Sequence, residues 1–244
     1  MKQSFFQIKE NIPLTDSVYR MVLEGDCSDI TASGQFVNVK LEGKFLRRPI
    51  SVCDVCENRL TLVYKVVGEG TKQMSQMKDG TLDVLTGLGN GYDLAPSGER
   101  PLLVGGGVGV PPLYLLAKRL IAEGKKPSVI LGFNTKSEIF LKDEFEALGV
   151  PVTVTTVDGS YGVSGFVTDA MKDMSYTYFY TCGPEPMLKA IYSASSTSGQ
   201  FSFEERMGCG FGACMGCSCK TVTGYKRICK EGPVLLKEEI LWQK

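Results

Sequence analysis

Apolar and polar residues alternate in short runs from Phe5 to about Ala95, and Gly, Asn and Asp residues separate the runs. Apolar side chains recur at a period of two, and so lie on one face of a strand, in three of these runs: Val18-Arg20-Val22, Val37-Val39-Leu41 and Leu60-Leu62-Tyr64-Val66. Several such strands so close together predict a small antiparallel β-barrel.

Beyond residue 101 apolar strands alternate with helices, after a polar, turn-rich segment at 95–101 that predicts a domain boundary. The predicted strands cover 102–104, 128–131, 152–157 and 176–181. The predicted helices begin after Pro112, cover 137–148 and 166–174, and begin again at Pro186. This alternation predicts a parallel, doubly wound sheet, so the fold class is β plus α/β.

The chain from Phe201 onward breaks the alternation and holds five of the nine cysteines. We therefore predict three domains. They are a β-barrel domain at 1–97, an α/β domain at 98–200 and a small cysteine-rich domain at 201–244.

Composition narrows the range of partners. The 27 Lys and Arg residues balance 27 Asp and Glu residues, so no basic field attracts nucleic acid or an anionic membrane. The N-terminal sequence lacks an apolar core of signal-peptide length, and Gly and Pro interrupt the most apolar stretch, 101–117. We expect a soluble, cytoplasmic protein with no nucleic-acid or membrane partner.

The cysteines of the C-terminal segment carry the strongest chemical signal. Cys209, Cys214 and Cys217 form a C-x4-C-x2-C run, and Cys229 follows after eleven intervening residues. This spacing is typical of plant-type [2Fe–2S] ligation, in which one loop supplies three thiolates and a remote cysteine supplies the fourth. The chain has no histidine, which excludes a His-based triad, His-ligated zinc and Rieske-type ligation.

A structural zinc site is the alternative, because C-x2-C pairs also bind zinc. Zinc ribbons normally separate two such pairs widely, whereas here three cysteines share one loop. Cys219 is an alternative third ligand, but Cys217 completes the spacing, and we interpret Cys219 as a neighbour on the following strand. We interpret Cys27, and the lone pair of Cys53 and Cys56, as core cysteines.

Two turns lie at the carboxyl edge of the predicted sheet, where ligands bind. The loop Gly105-Gly106-Gly107-Val-Gly109 joins a strand to a helix, as a dinucleotide fingerprint does, although Pro111-Pro112 replaces the third glycine. Proline is favoured in the first turn of a helix, and the N-terminus of that helix can still bind a pyrophosphate. Cys182-Gly183 follows a second strand. A tight structural turn and a buried core thiol are the alternatives for these two features.

A further phosphate cradle is predicted in the barrel half. Gly70-Thr71 opens a helix directly after a strand, and Arg47-Arg48 begins another strand. A helix N-terminus binds phosphate, and a nearby arginine can complete the site. A solvated basic patch is the alternative for the arginine pair.

Several motifs together resemble the ferredoxin-NADP reductase superfamily: Arg48-Pro-Ile-Ser51, Gly70-Thr71, the glycine loop and Cys182-Gly-Pro-Glu-Pro-Met187. With Glu205-Arg-Met-Gly-Cys209 and Cys229-Lys-Glu-Gly-Pro-Val added, the whole chain resembles the electron-transfer subunits of class 1B, NAD-dependent dihydroorotate dehydrogenase. The cysteine segment is the most specific part of the resemblance.

The resemblance implies an FAD-binding barrel, an NAD-binding domain and a C-terminal [2Fe–2S] domain. The implied FAD contacts are Arg48, Pro49, Ile50, Ser51, Val63, Tyr64, Lys65, Gly70 and Thr71, with Arg48 on the pyrophosphate and Ser51 near flavin N5. The implied NAD contacts are Gly105, Gly106, Gly107, Gly109, Cys182 and Gly183, and the implied cluster ligands are Cys209, Cys214, Cys217 and Cys229. Two departures are that Ile50 replaces a flavin-stacking tyrosine of many members, and that the interval between the last two ligands is shorter than usual.

The implied function is electron transfer from dihydroorotate, through the FMN of a separate catalytic subunit, the cluster and FAD, to NAD+ in pyrimidine (UMP) biosynthesis. Flavin must lie between the other two, because nicotinamide exchanges a hydride whereas the cluster passes single electrons. No catalytic acid or base is expected in this chain, and the family implies an α2β2 heterotetramer.

Two other functions stay open at this point. One is an NAD(P)H-dependent flavin and iron–sulfur subunit that serves ferredoxin, a hydrogenase or sulfur reduction. The other is a zinc-stabilised nucleotide-binding module without a redox role. The residues alone also leave NAD against NADP undecided, since 132–138 offers both a cation and a carboxylate, and only the resemblance favours NAD.

Overall fold

The computed structural model describes residues 1–242, and the first six strands close into an antiparallel barrel. The strands are β1 (Lys2–Pro13), β2 (Val18–Glu24), β3 (Phe36–Val39), β4 (Arg48–Cys56), β5 (Arg59–Lys65) and β6 (Thr81–Leu88). Their order around the barrel is β1-β2-β5-β4-β3-β6, and helix α1 (Glu69–Gln76) connects β5 to β6. The barrel prediction is confirmed.

The residues predicted to share one face of strand β2, at positions 18, 20 and 22, do so, and this face is the outer face of the barrel. Met21 and Leu23 are fully buried inside the barrel, whereas Val18, Arg20 and Val22 lie on the opposite face. Val18 packs into a second core that includes the α/β half of the chain, and Arg20 pairs with carboxylates. The strand carries apolar residues on both faces because the second half of the chain covers its outer face.

The second half of the chain forms one sheet. Its parallel strands are β7 (Leu102–Gly106), β8 (Ser128–Phe133), β9 (Val152–Thr156), β10 (Val163–Ser164), β11 (Phe179–Cys182) and β12 (Gly199–Ser202), in the order β10-β9-β8-β7-β11-β12. The helices are α2 (Pro111–Ala122), α3 (Lys142–Ala147), α4 (Val167–Met171) and α5 (Glu185–Ala194).

Helices cover both faces of this sheet. Leu103 and Val129 belong to the core that contains α2 and α3, whereas Val104 and Ile130 belong to the core that contains α4 and α5. The doubly wound prediction is confirmed. The strand order reverses between β7 and β11, and crevices at such a reversal are where ligands bind in sheets of this kind.

The helix predicted over 137–148 is shorter in the structure. A 3-10 turn covers Lys136–Glu138, and α3 begins only at Lys142, after Leu141 adopts a left-handed conformation with φ of 60°. Phe140 lies in the irregular segment and packs edge-on against Phe133 of β8, with ring centroids 5.3 Å apart. Burial of this ring against the sheet replaces the first turns of the predicted helix.

The C-terminal segment is attached to both halves. Strands β13 (Ser218–Thr221) and β14 (Gly224–Arg227) form a hairpin, and β15 (Val234–Leu236) pairs antiparallel with β12. Asn90, after the last barrel strand, donates from Nδ2 to the Val234 carbonyl at 2.7 Å and accepts the Val234 N–H at 3.1 Å. The cysteine-bearing segment is thereby held between the barrel and the sheet.

The three-domain division remains a prediction. Strand β12 crosses the predicted boundary between residues 200 and 201, and the range 201–244 supplies β15 to the sheet of the range before it. Residues 243 and 244 of that range lie outside the described residues. Across residues 1–242, no helix is long and apolar enough to cross a membrane.

Candidate cofactor sites

The four predicted cluster ligands lie in the segment between β12 and β15. Cys217 and Cys229 are buried, Cys209 is half-buried and Cys214 is exposed. Left-handed conformations at Gly210, Gly212 and Met215, with φ of 77°, 91° and 62°, let this loop turn sharply between successive cysteines.

The four cysteines fall into two pairs, and in each pair a backbone N–H group of one member points at the sulfur of the other. The Cys214 nitrogen lies 3.5 Å from Cys209 Sγ, and the Cys229 nitrogen lies 3.4 Å from Cys217 Sγ. The Ala213 nitrogen also lies 3.2 Å from Cys209 Sγ. Burial acts to raise the pKa of Cys209, but hydrogen bonds from Phe211, Cys214 and Ala213 outweigh it and lower the pKa to about 6.

The pairing distinguishes two kinds of metal site. A structural zinc ion requires four ligands around one centre. A [2Fe–2S] cluster has two centres with two protein ligands each, and sulfur-directed N–H groups stabilise such clusters. The two pairs therefore fit a [2Fe–2S] cluster better than zinc.

Cys219 lies apart from these pairs. It is on β13, opposite Lys226 of β14, and lines a cavity of about 270 Å³ together with Gly183 and Trp242. Burial raises the pKa of its thiol. Its surroundings are those of a strand residue rather than of the ligand loop.

Arg227 fastens the ligand loop to the segment that carries Cys229. Its guanidinium donates from Nη1 to the Gly212 carbonyl at 2.6 Å and from Nε to Glu231 Oε2 at 2.9 Å, and Nη2 also contacts Glu231. The Arg227 guanidinium holds the pKa of Glu231 down, to about 2. Arg227 and Glu231 lie two residues before and two residues after Cys229, so their ion pair encloses this cysteine. The bond from Arg227 to Gly212 also reaches back into the C-x4-C interval.

The barrel places the predicted phosphate cradle around α1. A Cβ at Gly70 would lie 2.2 Å from Arg48 Nε, so the arginine lies directly over this glycine. Thr71 Oγ1 accepts the Val67 N–H at 2.9 Å and closes the turn that begins the helix. An arginine over a helix N-terminus is an arrangement that binds phosphate.

The other predicted flavin residues lie on β4 and β5. Pro49, Ile50 and Ser51 are partly exposed on β4, and Lys65 is exposed at the end of β5. Val63 is buried in the core shared with α2. Tyr64 points into the barrel, where its hydroxyl donates to Asn11 Oδ1 at 3.0 Å, so only its backbone is available to a ligand.

A cavity of about 900 Å³ opens beside the β4 residues. Arg48 and Pro49 line one side, and residues 204–207 line the other. The sequence prediction did not include 204–207 among the flavin contacts. Residues 205–207 contributed to the family resemblance as part of the cysteine segment, but the long-range packing that brings 204–207 to the barrel has no local signature.

The two predicted nicotinamide turns meet at the strand reversal. Gly105 of β7 is the register partner of Cys182 of β11. A Cβ at Gly109 would lie 2.3 Å from the Cys182 carbonyl oxygen, and one at Gly106 would lie 2.5 Å from Met187 Sδ. The glycines are therefore needed for the two turns to pack together. Burial raises the pKa of Cys182 to about 12.

The glycine loop presents few helix donors. Pro111 and Pro112 open α2 and have no N–H, and the Val110 N–H is bonded to the Gly107 carbonyl at 3.1 Å. Gly107 is half-buried and Val108 is exposed, whereas Gly105, Gly106 and Gly109 are buried. Any dinucleotide here approaches the backbone of 107–108 rather than a row of free helical N–H groups.

Comparison with known proteins agrees with this arrangement. A family model described as the iron-sulfur cluster binding domain of dihydroorotate dehydrogenase B matches residues 204–241. A second, described as an oxidoreductase NAD-binding domain, matches residues 103–193.

Full-length relatives decide the family. The dihydroorotate dehydrogenase B (NAD(+)) electron transfer subunit of Bacillus pumilus is 43% identical, with 98% of each chain covered. That of Fusobacterium nucleatum is also 43% identical, over 98% of this chain and 99% of the relative. This chain belongs to the dihydroorotate dehydrogenase B electron transfer subunit family.

The three-dimensional fold of this family member is shared with a related enzyme. The structure of an NADH-dependent reduced ferredoxin-NADP oxidoreductase, studied for flavin-based electron bifurcation, superimposes with a TM-score of 0.87. It is 31% identical and covers 97% of this chain and 90% of its own. The resemblance inferred from sequence motifs is confirmed.

Proposed function

We propose that this chain is the electron transfer subunit of an NAD-dependent dihydroorotate dehydrogenase. It passes electrons from the FMN of a catalytic subunit, through a [2Fe–2S] cluster and FAD, to NAD+ in pyrimidine biosynthesis. The observation that carries the proposal is 43% identity to subunits of that name along 98% of the chain. The geometry supports it, because the ligand loop, the barrel cavity and the glycine turns adjoin one another.

The chain's own residues contribute binding and orientation. When bound, FAD supplies hydride exchange with nicotinamide and single-electron exchange with a cluster. Hydride transfer to or from nicotinamide needs no acid or base from the protein, which is consistent with a chain that has no histidine.

The proposed cluster ligands are Cys209 and Cys214 on one iron and Cys217 and Cys229 on the other. Their support is the pairing of the cysteines through backbone N–H groups that point at the sulfurs of Cys209 and Cys217. Such N–H groups stabilise thiolate charge and tune the reduction potential of the bound group.

We assign the flavin to the barrel. Arg48, with the start of α1 at Gly70 and Thr71, holds the pyrophosphate, and the wall formed by Pro49, Ile50 and Ser51 takes the remainder. Val63, Tyr64 and Lys65 contribute through the backbone, since the Tyr64 ring lies inside the barrel. The cavity between Arg48 and 204–207 is large enough for part of a dinucleotide.

The nicotinamide nucleotide is assigned to the strand reversal. Gly105, Gly106, Gly107 and Gly109 allow its pyrophosphate to approach the backbone, and Cys182 with Gly183 borders the nicotinamide. Support comes from the close packing of the two turns at the carboxyl ends of β7 and β11. The names of the relatives specify NAD(+), which favours NAD over NADP.

A partner subunit is expected at the exposed side of the ligand loop. Cys214 is exposed there, and Phe211 and Met215 beside it are 44% and 53% exposed. Apolar side chains that remain exposed around a candidate redox centre suit a protein interface. We propose a heterotetramer with the FMN-bearing catalytic subunit, located in the cytoplasm.

The experiment is reconstitution with a candidate catalytic subunit. Co-purified subunits should reduce NAD+ when given dihydroorotate, and the catalytic subunit alone should not. A matched control is the complex with Cys217→Ser, which should lose NAD+ reduction but keep dihydroorotate oxidation with an artificial acceptor. Dihydroorotate oxidation by this chain without a partner would contradict the proposed division of labour.

A second candidate function follows from the structural similarity. The oxidoreductase with TM-score 0.87 is described as an NADH-dependent reduced ferredoxin-NADP oxidoreductase. The same preparation should therefore be assayed for NADH-dependent ferredoxin reduction. Ferredoxin reduction together with failure to form a dihydroorotate-oxidising complex would favour this second function.

A further inference from the structure

Asn38 occupies an unusual position in the barrel. It lies on β3, within the sequence Phe36-Val-Asn-Val39, and all four residues of this strand are buried. Its side chain is 1% exposed. A polar amide in such a strand costs free energy unless hydrogen bonds compensate for its burial.

The hydrogen bonds of the Asn38 side chain are incomplete, and the one it makes is to a residue outside the barrel. Nδ2 donates to the carbonyl of Cys209 at 3.3 Å, which is the only hydrogen bond that the side chain makes among the described residues, and the buried Oδ1 has no partner. A buried acceptor without a partner destabilises the fold, because it has lost its hydrogen bonds to water and gained none in return. Barrel stability therefore does not account for this residue.

The ligand loop is shaped around the amide. A Cβ at Gly210 would lie 2.2 Å from Asn38 Nδ2 and 3.2 Å from its Cγ. Gly210, which directly follows the first ligand, also has a φ of 77°. A side chain at position 210 would push the loop away from the barrel.

The same residue is joined to the candidate flavin strand. Asn38 is the register partner of Pro49 on β4. Pro49 has no N–H, and the Asn38 carbonyl instead accepts a hydrogen bond from Arg47 Nη1 at 3.3 Å. Arg47 is itself fixed by two hydrogen bonds to the Asp83 carboxylate, at 2.9 Å and 3.0 Å. The backbone that carries the Asn38 amide is thus held in place by Arg47 and Asp83.

We infer that Asn38 is a positioning residue that sets the separation between the flavin strand β4 and the first cluster ligand, Cys209. This inference rests on the proposed function. Electron transfer between flavin and cluster depends on that separation, and Asn38 provides a hydrogen bond directly from the flavin-bearing barrel to a ligand residue. Loss of the bond should slow the transfer without removing either group.

The test follows two events separately in the full chain loaded with FAD and cluster. After anaerobic mixing with NADH, flavin bleaching reports hydride transfer, in which NADH gives up two electrons and becomes NAD+. Cluster bleaching and the EPR signal of the reduced cluster then report passage of one of those electrons, while the second stays on the flavin.

The variant is Asn38→Leu, which keeps the number and branching of the side-chain heavy atoms and removes the donor. The expected result is unchanged flavin bleaching, cluster reduction slower by about tenfold, and an altered EPR line shape at unchanged iron content. The matched control is Gln35→Leu, which alters a buried barrel amide that bonds to the Gly89 carbonyl and to N–H groups of Thr31 and Ala32. It should not slow cluster reduction.

The outcomes separate the role of Asn38 from the proposed function of the chain. Equal cluster reduction in Asn38→Leu and the unmodified chain, or equal slowing in Gln35→Leu, would overturn the role of Asn38. If the variant loses its iron on folding, Asn38→Ser, which retains a shorter donor, should recover the cluster and an intermediate rate; no slowing in that variant would also overturn it. Failure of NADH to bleach the flavin of the unmodified chain would instead contradict the proposed function.

Discussion

Two cysteines separated by a single residue differ in what surrounds them. Cys217 is 2% exposed, and its Sγ lies 3.4 Å from the Cys229 N–H. Cys219 lies in the β13–β14 hairpin and borders a cavity on the side of Gly183. The alternative third ligand left open by the sequence is therefore disfavoured by position.

Serine substitutions test this at the residue scale. Cys217→Ser should abolish most of the visible absorption of the cluster and lower the iron content to near zero, because one iron loses half of its protein ligands. Cys219→Ser should keep both and serves as the matched control. The reverse result, with the cluster lost only in Cys219→Ser, would reassign the ligand.

At the scale of elements, the two turns at the sheet edge are predicted to act as one unit. Gly109→Ala places a Cβ 2.3 Å from the Cys182 backbone carbonyl, and neither turn has a flexible side chain that can yield. The turns must separate, so the KM for NADH should rise by about ten- to a hundredfold, with FAD and iron content unchanged. Steady-state kinetics with ferricyanide as acceptor measure this.

Gly149→Ala is the matched control for that change. Gly149 follows α3 with a φ of 78°, and a Cβ there meets nothing within 4 Å. This variant should lose some stability through backbone strain but keep its KM. An unchanged KM in Gly109→Ala would contradict the assignment of nicotinamide to the strand reversal.

The local sequence pattern predicted the helices and strands better than it predicted which parts of the chain pack against them. The alternation of strands and helices, the glycine turns and the cysteine spacing are properties of short segments, and each is found where expected. The pattern of β2 did not show that Val18 is buried by the second half of the chain rather than by the barrel. The 137–148 helix was wrong because packing of Phe140 against Phe133 outweighs helix propensity.

Long-range contacts account for what the sequence did not reveal. The antiparallel pairing of β15 with β12, and the placement of 204–207 opposite Arg48, both join segments through tertiary packing. Asn38 is the clearest case at the candidate site. The local sequence around β3 does not predict a role for Asn38, and only its contact with Cys209, far along the chain, reveals one.

At the scale of the whole molecule, one chain brings three candidate sites together. The barrel contacts the ligand loop through Asn38, and Asn90 bonds the barrel to Val234 of β15. The cavity that contains Gly183 of the nicotinamide turn is lined by residues 203–205, just before the ligand loop, and by residues 219–221, just after it. This contiguity is what a relay from nicotinamide to flavin to cluster requires.

An anaerobic titration of the purified chain with NADH, followed by visible absorption and EPR, tests the relay most directly. The account predicts a coloured protein with FAD and about two irons per chain, in which NADH bleaches the flavin and produces the EPR signal of a reduced [2Fe–2S] cluster. A colourless protein that contains zinc, or a cluster that NADH leaves oxidised while dithionite reduces it, would contradict it.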